Sequence, residues 1–213
     1  MSSENIPGFD SLGFRVTREE GDKFEHLLKS LWAASTQYSP LAGECGDVSG
    51  EYFRLWTHID QTGIDHTLEV SAMPGLVAAV EQFFEPNLVK AWIGGIEESY
   101  PVCFRSSLPW FYREEEAKEQ SEALALTVVA STAEFFESPE ELSAHPELGK
   151  FASNSVIPAG LFVDEGATPT PHILVVGNVI LAVQSRNEIT GDPFHALRVR
   201  TLGGELWVAL PDE

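Results

Sequence analysis

The clearest alternation of hydrophobic and polar positions lies at the C-terminal end of the chain. An apolar, β-branched run over residues 173–183 contains Gly177, which predicts two strand segments with a bend at the glycine. Residues 187–193 end in Gly-Asp-Pro and predict a turn. The alternating residues 196–201 then predict a strand with one solvated face, and Gly203-Gly204 predicts a hairpin before the last strand. The whole stretch is therefore predicted to be a β-meander.

Three segments have the features of short or amphipathic helices. Thr17–Glu20 has the spacing of a capping box, and apolar residues follow it at helical intervals. These residues are Phe24, Leu27, Leu28, Leu31 and Trp32. A second, short helix is predicted from Leu76 to Phe84, because Pro74 suits a helix start and the apolar positions again follow helical spacing. Residues 138–141 form another capping box and predict the start of a third helix.

Other apolar segments of the N-terminal part predict strands. Residues 51–59 alternate loosely, and a turn at 60–63 leads to a second arm at 67–72, which together predict a hairpin. Further strands are predicted at 88–96 and 102–108. Residues 123–130 fit either a helix or a strand, and their β-branched end favours a strand.

These elements predict an α+β fold, with a mixed α/β N-terminal part and a C-terminal β-meander. A first strand bent at glycine and followed by a hairpin is also how a small OB-like barrel begins, so the meander has that second interpretation. Residues 153–170 are rich in Pro and Gly and predict a connector. The sequence thus predicts an α+β domain over 1–155 and a β-meander module over 156–213, or one domain if both parts share a core.

A set of turn and strand residues in the meander has a distinctive spacing. It consists of Asn187, Thr190, Gly191, Phe194, Thr201, Leu202, Gly203 and Gly204. This segment resembles the closing segment of a family of uncharacterised bacterial proteins. The resemblance implies a recurring β-module and brings no activity with it. The same residues are also explained as ordinary turn and core positions.

Charge is the most informative bulk property of the chain. The 213 residues include 33 Asp and Glu against 13 Lys and Arg, for a net charge of −20. Such a surface repels the phosphates of nucleic acids and of anionic membranes, and it suits a basic protein partner. High solubility alone also explains it.

Hydropathy and cysteine content predict a cytoplasmic location. No apolar run reaches the roughly 18 residues of a membrane span, and the N-terminus lacks the basic and apolar regions of a signal peptide. Cys45 and Cys103 are far apart and form no Cys-x-x-Cys motif, which predicts two reduced thiols.

The densest group of polar residues follows Trp56. It consists of His58, Asp60, Asp65 and His66. On a hairpin, side chains of both arms can converge near the turn, and imidazoles with carboxylates are adequate ligands for zinc, manganese or iron. These residues are therefore a candidate metal site. They are equally explained by a polar turn and a solvated strand face.

Three consecutive aromatic residues, Trp110, Phe111 and Tyr112, are a candidate binding site. Large aromatic side chains are frequent at the energetic centres of protein interfaces. They are also what fills a hydrophobic core, and this second interpretation stays open. The acidic neighbours of Cys45 oppose a nucleophilic thiol at that position.

No motif of an acyl-transfer, phosphate-binding or dinucleotide-binding site is present. No catalytic residue and no cofactor is therefore predicted, and whether the protein is an enzyme stays open. The first hypothesis is an acidic, cytoplasmic, non-catalytic binding protein of bacterial type with a basic protein partner. The alternative is a metal-dependent hydrolase that uses His58, Asp60, Asp65 and His66. A further alternative is an OB-like binder of single-stranded nucleic acid with Arg198 and Arg200 on the phosphates, which the net charge disfavours.

Overall fold

The computed structural model describes residues 9–14, 21–70, 74–84, 87–94, 99–119 and 122–212. The helices are α1 (Gly21–Ala34), α2 (Leu108–Phe111), α3 (Glu114–Lys118) and α4 (Pro139–Ala144), with 3₁₀ turns at Asp10–Leu12, Leu148–Lys150 and Ala159–Leu161. The strands are β1 (Thr36–Tyr38), β2 (Glu44–Ser49), β3 (Arg54–Ile59), β4 (Ile64–Glu69), β5 (Leu76–Phe83), β6 (Leu88–Gly94), β7 (Ser99–Arg105), β8 (Glu122–Leu124), β9 (Thr127–Val129), β10 (Ser155–Ile157), β11 (Leu174–Val176), β12 (Asn178–Arg186), β13 (Pro193–Thr201) and β14 (Gly204–Pro211). The fold is α+β with a C-terminal β-meander, as predicted.

Two of the predicted helices are confirmed. Leu27, Leu28 and Leu31 pack the apolar side of α1 into a hydrophobic core, as their helical spacing predicts. The capping box predicted at Thr17–Glu20 lies outside the described residues. Helix α4 follows Ser138, whose hydroxyl accepts a hydrogen bond of 3.2 Å from the backbone N–H at position 141.

The first sheet has the strand order β1-β2-β3-β4, and its pairs are antiparallel. The hairpin between β3 and β4 turns where the sequence predicts it. Asp60 Oδ1 accepts hydrogen bonds from the backbone N–H (2.7 Å) and the hydroxyl (2.6 Å) of Thr62. Gly63 follows with a φ of 147°, a conformation that favours glycine. The turn fixes the register of the two arms.

The second sheet has the strand order β7-β6-β5-β8. The helix predicted from Leu76 to Phe84 is wrong, because the segment forms β5. Leu76 and Val80 fit a helical interval, but they also fit the period of two that a strand requires. Pairing decides the outcome, since β5 lies between β6 and β8 and is hydrogen-bonded on both sides. Ala78 faces the core, whereas Val77 is exposed.

The third sheet, in the order β12-β13-β14-β9, carries the meander. Strand β13 contributes alternate residues to two hydrophobic cores. Leu197 and Val199 belong to a core shared with the second sheet, and Phe194 and Ala196 belong to a core shared with the first sheet and α1. The predicted solvated face of β13 is therefore limited to its end at Arg198 and beyond. An OB-like closure of this sheet stays a prediction.

The predicted bend at Gly177 is confirmed, because β11 pairs with β10 while β12 pairs with β13. A Cβ at Gly177 would lie 2.5 Å from the backbone oxygen of Arg200, so the close approach of the two strands requires glycine. The hairpin between β13 and β14 pairs Thr201 with Gly204. Its turn is therefore Leu202-Gly203, one residue earlier than predicted.

The turn after β12 is hydrogen-bonded to the 9–14 segment near the start of the described chain. Asn187 Oδ1 accepts hydrogen bonds from the backbone N–H of Ile189 (3.0 Å) and Thr190 (3.2 Å), which builds the predicted turn. Asn187 Nδ2 donates to the carbonyl of Leu12 (2.9 Å), and the Thr190 hydroxyl donates to the carbonyl of Gly13 (2.6 Å). Asn187 and Thr190 therefore position the 9–14 segment against the C-terminal meander.

Both cores combine residues from either side of the predicted boundary at residue 155. Val89 and Val199 belong to one core, and Leu55 and Phe194 belong to the other. The single-domain alternative requires shared cores of this kind, while the division into two domains stays a prediction. No helix within the described ranges is long and apolar enough to span a membrane.

Candidate functional site

The register of the β3–β4 hairpin separates the two predicted histidine ligands. His58 pairs with Asp65, and His66 pairs with Thr57. Directly paired residues share one face of a sheet, and successive residues point to opposite faces. His58 and Asp65 therefore lie on one face, and His66 lies on the other. The structure does not bring the four predicted metal ligands together.

Three of these side chains, His58, Asp60 and His66, have partners within the fold. His58 is buried, and its Nε2 is 2.8 Å from the carbonyl oxygen of Ala42. His66 Nδ1 is 3.1 Å from the Thr57 hydroxyl, and burial lowers the pKa of this imidazole. Hydrogen bonds from Thr62 lower the pKa of Asp60. Among the described residues, no group of three His, Cys, Asp or Glu side chains could hold a metal ion.

One face of the first sheet carries a cluster of aromatic rings. The register places Tyr38, Trp56 and His58 on this face, and α2 adds Trp110 and Phe111. Ring centroids lie 5.1 Å apart for Tyr38 and Trp56, 6.0 Å for Trp56 and Phe111, and 6.2 Å for Tyr38 and Phe111. Trp110 stacks on His58 at 5.0 Å. We refer to Tyr38, Trp56, His58, Trp110 and Phe111 as the aromatic face.

The aromatic face joins parts of both predicted sites. Trp110 is only 3% exposed and forms its buried base. Tyr38 is 40% exposed, and Trp56 and Phe111 are half-buried, so these three rings form its accessible part. The half-buried Tyr112 makes no ring contact with the described rings of the cluster. Sequence reasoning missed Tyr38 and Trp56, although Trp56 alternates with His58 along one strand.

The aromatic face already holds one guanidinium group. Arg54 Nε is 3.1 Å from Asp47 Oδ2, Arg54 Nη1 is 3.5 Å from Glu69 Oε1, and the guanidinium carbon lies 5.5 Å from the ring centre of Trp56. Trp56 Nε1 donates a hydrogen bond of 3.1 Å to Glu69. The Tyr38 hydroxyl donates to Asp47, which raises the pKa of the phenol. An indole and two carboxylates thus surround a cation at this face.

A cavity of about 1270 Å³ is lined in part by Glu69, the carboxylate that accepts the indole N–H of Trp56. Its walls include the partly buried apolar residues Val128, Ile173, Val175, Val208 and Leu210. Its charged lining residues are Asp10, Glu69, Arg105, Glu134 and Glu137. Carboxylates therefore outnumber the one Lys or Arg side chain in the described lining. Such a cavity suits a ligand with apolar and basic groups.

The two cysteines and the two arginines of β13 are buried or paired within the fold. Burial raises the pKa of the Cys45 and Cys103 thiols to about 11, so neither is poised as a nucleophile. Arg198 and Arg200 both pair with Glu205, at 2.7 and 3.0 Å, in place of an external phosphate. The two thiols are therefore buried, and both arginines are already paired with a carboxylate.

The aromatic face and the cavity are the candidate functional site of this protein. No protein-family model, no curated protein and no solved structure matches the chain.

Proposed function

We propose that this is a non-catalytic binding protein whose aromatic face receives a basic side chain of a protein partner. The observation that carries the proposal is the set of half-exposed rings, Tyr38, Trp56 and Phe111, beside carboxylates that already hold Arg54. A cation over an aromatic ring is attracted by the negative face of the ring, and a nearby carboxylate adds to the attraction.

The charge of the chain supports a basic partner. The net charge of −20 raises the local concentration of cationic molecules and speeds their association. Glu115 and Glu119 of the α2–α3 region follow Phe111 closely in sequence, are exposed, and form no ion pair with another described residue. A basic segment that reaches the aromatic face would therefore meet further carboxylates. A cytoplasmic location belongs to the same proposal and is supported by two free, buried thiols.

The proposal is tested with two labelled peptides of equal length in a Gly-Ser background, one carrying three Arg and the other three Glu. Fluorescence anisotropy at low salt should show binding of the Arg peptide only. Tyr38→Ala removes the most exposed ring, and it should weaken binding about twofold to fivefold, as expected for one exposed cation–π contact. Phe162→Ala is the matched control, because Phe162 is a 76% exposed aromatic residue that contributes to neither the aromatic face nor the cavity.

Two results would reject the proposal. One is equal affinity of the wild-type protein for the Arg and Glu peptides. The other is an unchanged affinity of Tyr38→Ala for the Arg peptide. The metal-dependent hydrolase and the nucleic-acid binder stay alternatives that no contact of the described residues favours over this one.

A further inference from the structure

The cavity is walled by the edges of strands. Residues 66–69 of β4, 102–105 of β7 and 174–176 of β11 line it without interruption. Because successive side chains of a strand point to opposite faces, a wall made of consecutive residues presents the edge of that strand. Strands β4 and β7 are the outermost strands of their sheets, so their outer backbone groups face the cavity.

The outer edge of β7 has donors available for a further strand. Ser106 N–H donates to the carbonyl of Asn87 (2.7 Å) on the side of β6. Bonding alternates along an antiparallel ladder, so Phe104 also directs its backbone to β6, while Cys103 and Arg105 direct theirs outward. Within the described ranges, nothing accepts a hydrogen bond from these two outward N–H groups. Pro101 also directs its backbone outward, so the absence of an N–H at this residue costs no hydrogen bond between β7 and β6.

The side chains around this edge define what would pair with it. Val128, Val175 and Val208 provide apolar contacts, and Glu134 and Glu137 provide carboxylates on the exposed rim. An extended segment that alternates apolar and basic residues would present one set to the walls and the other to the rim, because its side chains alternate with a period of two. An acidic segment would meet like charge.

A hydrogen bond and a short chain segment connect the cavity lining to the aromatic face. Strand β7 passes through Ser106 and Ser107, which line the cavity, directly into α2 with Trp110 and Phe111. Glu69 lines the cavity and accepts the indole N–H of Trp56. A partner segment lying along β7 would therefore lead to the accessible rings.

We infer that an extended segment of the basic partner adds as a strand to the free edge of β7 inside the cavity. The identity of this occupant rests on the proposed function, whereas the mode of binding rests on the edge of β7. Main-chain hydrogen bonds would supply affinity, and the apolar walls and carboxylate rim would supply selectivity.

The test uses a labelled peptide of alternating Lys and Val, the same peptide with alternate backbone nitrogens methylated, and an alternating Glu and Val peptide. Fluorescence anisotropy should show tight binding of the first peptide only, because N-methylation removes its donors along one edge. Arg105→Pro removes an outward N–H that Arg105→Ala keeps. The Pro variant should bind the Lys-Val peptide about fivefold more weakly than the Ala variant, as expected for one hydrogen bond.

Equal binding of the methylated and unmethylated Lys-Val peptides would overturn strand addition without requiring any protein variant. Equal affinity of the Pro and Ala variants, with circular dichroism showing both folded, would also overturn it. Tight binding of the Glu-Val peptide would assign the cavity to another occupant. If only strand addition is wrong, Tyr38→Ala still weakens binding of the Gly-Ser Arg peptide. If the proposed function is wrong, Tyr38→Ala leaves that affinity unchanged.

Discussion

Asn187 allows the contribution of one buried side chain to stability to be predicted from its contacts. Both Asn187 and Leu12 are completely buried, and their hydrogen bond joins the C-terminal meander to the 9–14 segment. Asn187→Ala removes this bond and the two bonds from the backbone N–H groups of Ile189 and Thr190. At about 0.5–1.5 kcal/mol for each hydrogen bond, the free energy of unfolding should fall by about 3 kcal/mol.

The assay is equilibrium unfolding in urea, followed by the fluorescence of the five tryptophans. Thr190→Val removes two hydrogen bonds, one to the carbonyl of Gly13 and one from the backbone N–H of Asp192, and should cost less, about 2 kcal/mol. Asn178→Ala is the matched control, because Asn178 is exposed and its side chain is hydrogen-bonded to Asn154 at the surface. This variant should change the free energy of unfolding by no more than about 0.5 kcal/mol. A loss of less than about 0.5 kcal/mol for Asn187→Ala would refute the assigned role of this turn.

Three further predictions follow from burial. Phe194 is fully buried in the core shared with the first sheet, so Phe194→Ala should lower the free energy of unfolding by about 3–5 kcal/mol. The exposed Phe162→Ala should change it by less than about 0.5 kcal/mol. Similar values for the two variants in urea unfolding would contradict the burial of Phe194 in this core. Burial raises the pKa of Glu69 above its ordinary value of 4.5, so the folded protein keeps this proton to higher pH than the unfolded chain, and stability falls as pH rises from about 4.5 to the folded-state pKa. Glu69→Gln lacks this titration, so its stability relative to the wild type should increase across that window, and parallel pH profiles would argue against a raised pKa. Because burial raises the pKa of Cys45 and Cys103 to about 11, a chromogenic disulfide reagent at pH 8 should label neither thiol in the native protein and both in urea; fast labelling without denaturant would disagree with their burial.

Local patterns predict an element correctly where its turn residues and its hydrophobic periodicity indicate the same structure. The turn at Asn187 and the bend at Gly177 follow from residue chemistry within a few positions, and both are confirmed. Leu76–Phe84 could not be assigned this way, because its apolar positions fit both a helix and a strand. Its pairing with β6 and β8 decides the structure, and a single local window does not contain that pairing.

The candidate site depended on register, which the sequence did not specify. His58 pairs with Asp65, and a shift of one residue would have paired it with His66 and placed both imidazoles on one face. Trp110 and Phe111 were predicted as binding residues, but their neighbours Tyr38 and Trp56 come from strands that are distant in sequence. Their convergence follows from the order β1-β2-β3-β4 and from the packing of α2 on that sheet.

The most direct test of the account measures whether a basic side chain of the ligand lies on the aromatic face. Isothermal titration calorimetry would compare wild-type protein and Tyr38→Ala, each with the Gly-Ser Arg peptide and with the same peptide carrying citrulline, a neutral isostere, at the Arg positions. We expect the two changes to be coupled by about 0.5–1 kcal/mol, because each removes one partner of the same cation–π contact. Strictly additive effects of the two changes would contradict it.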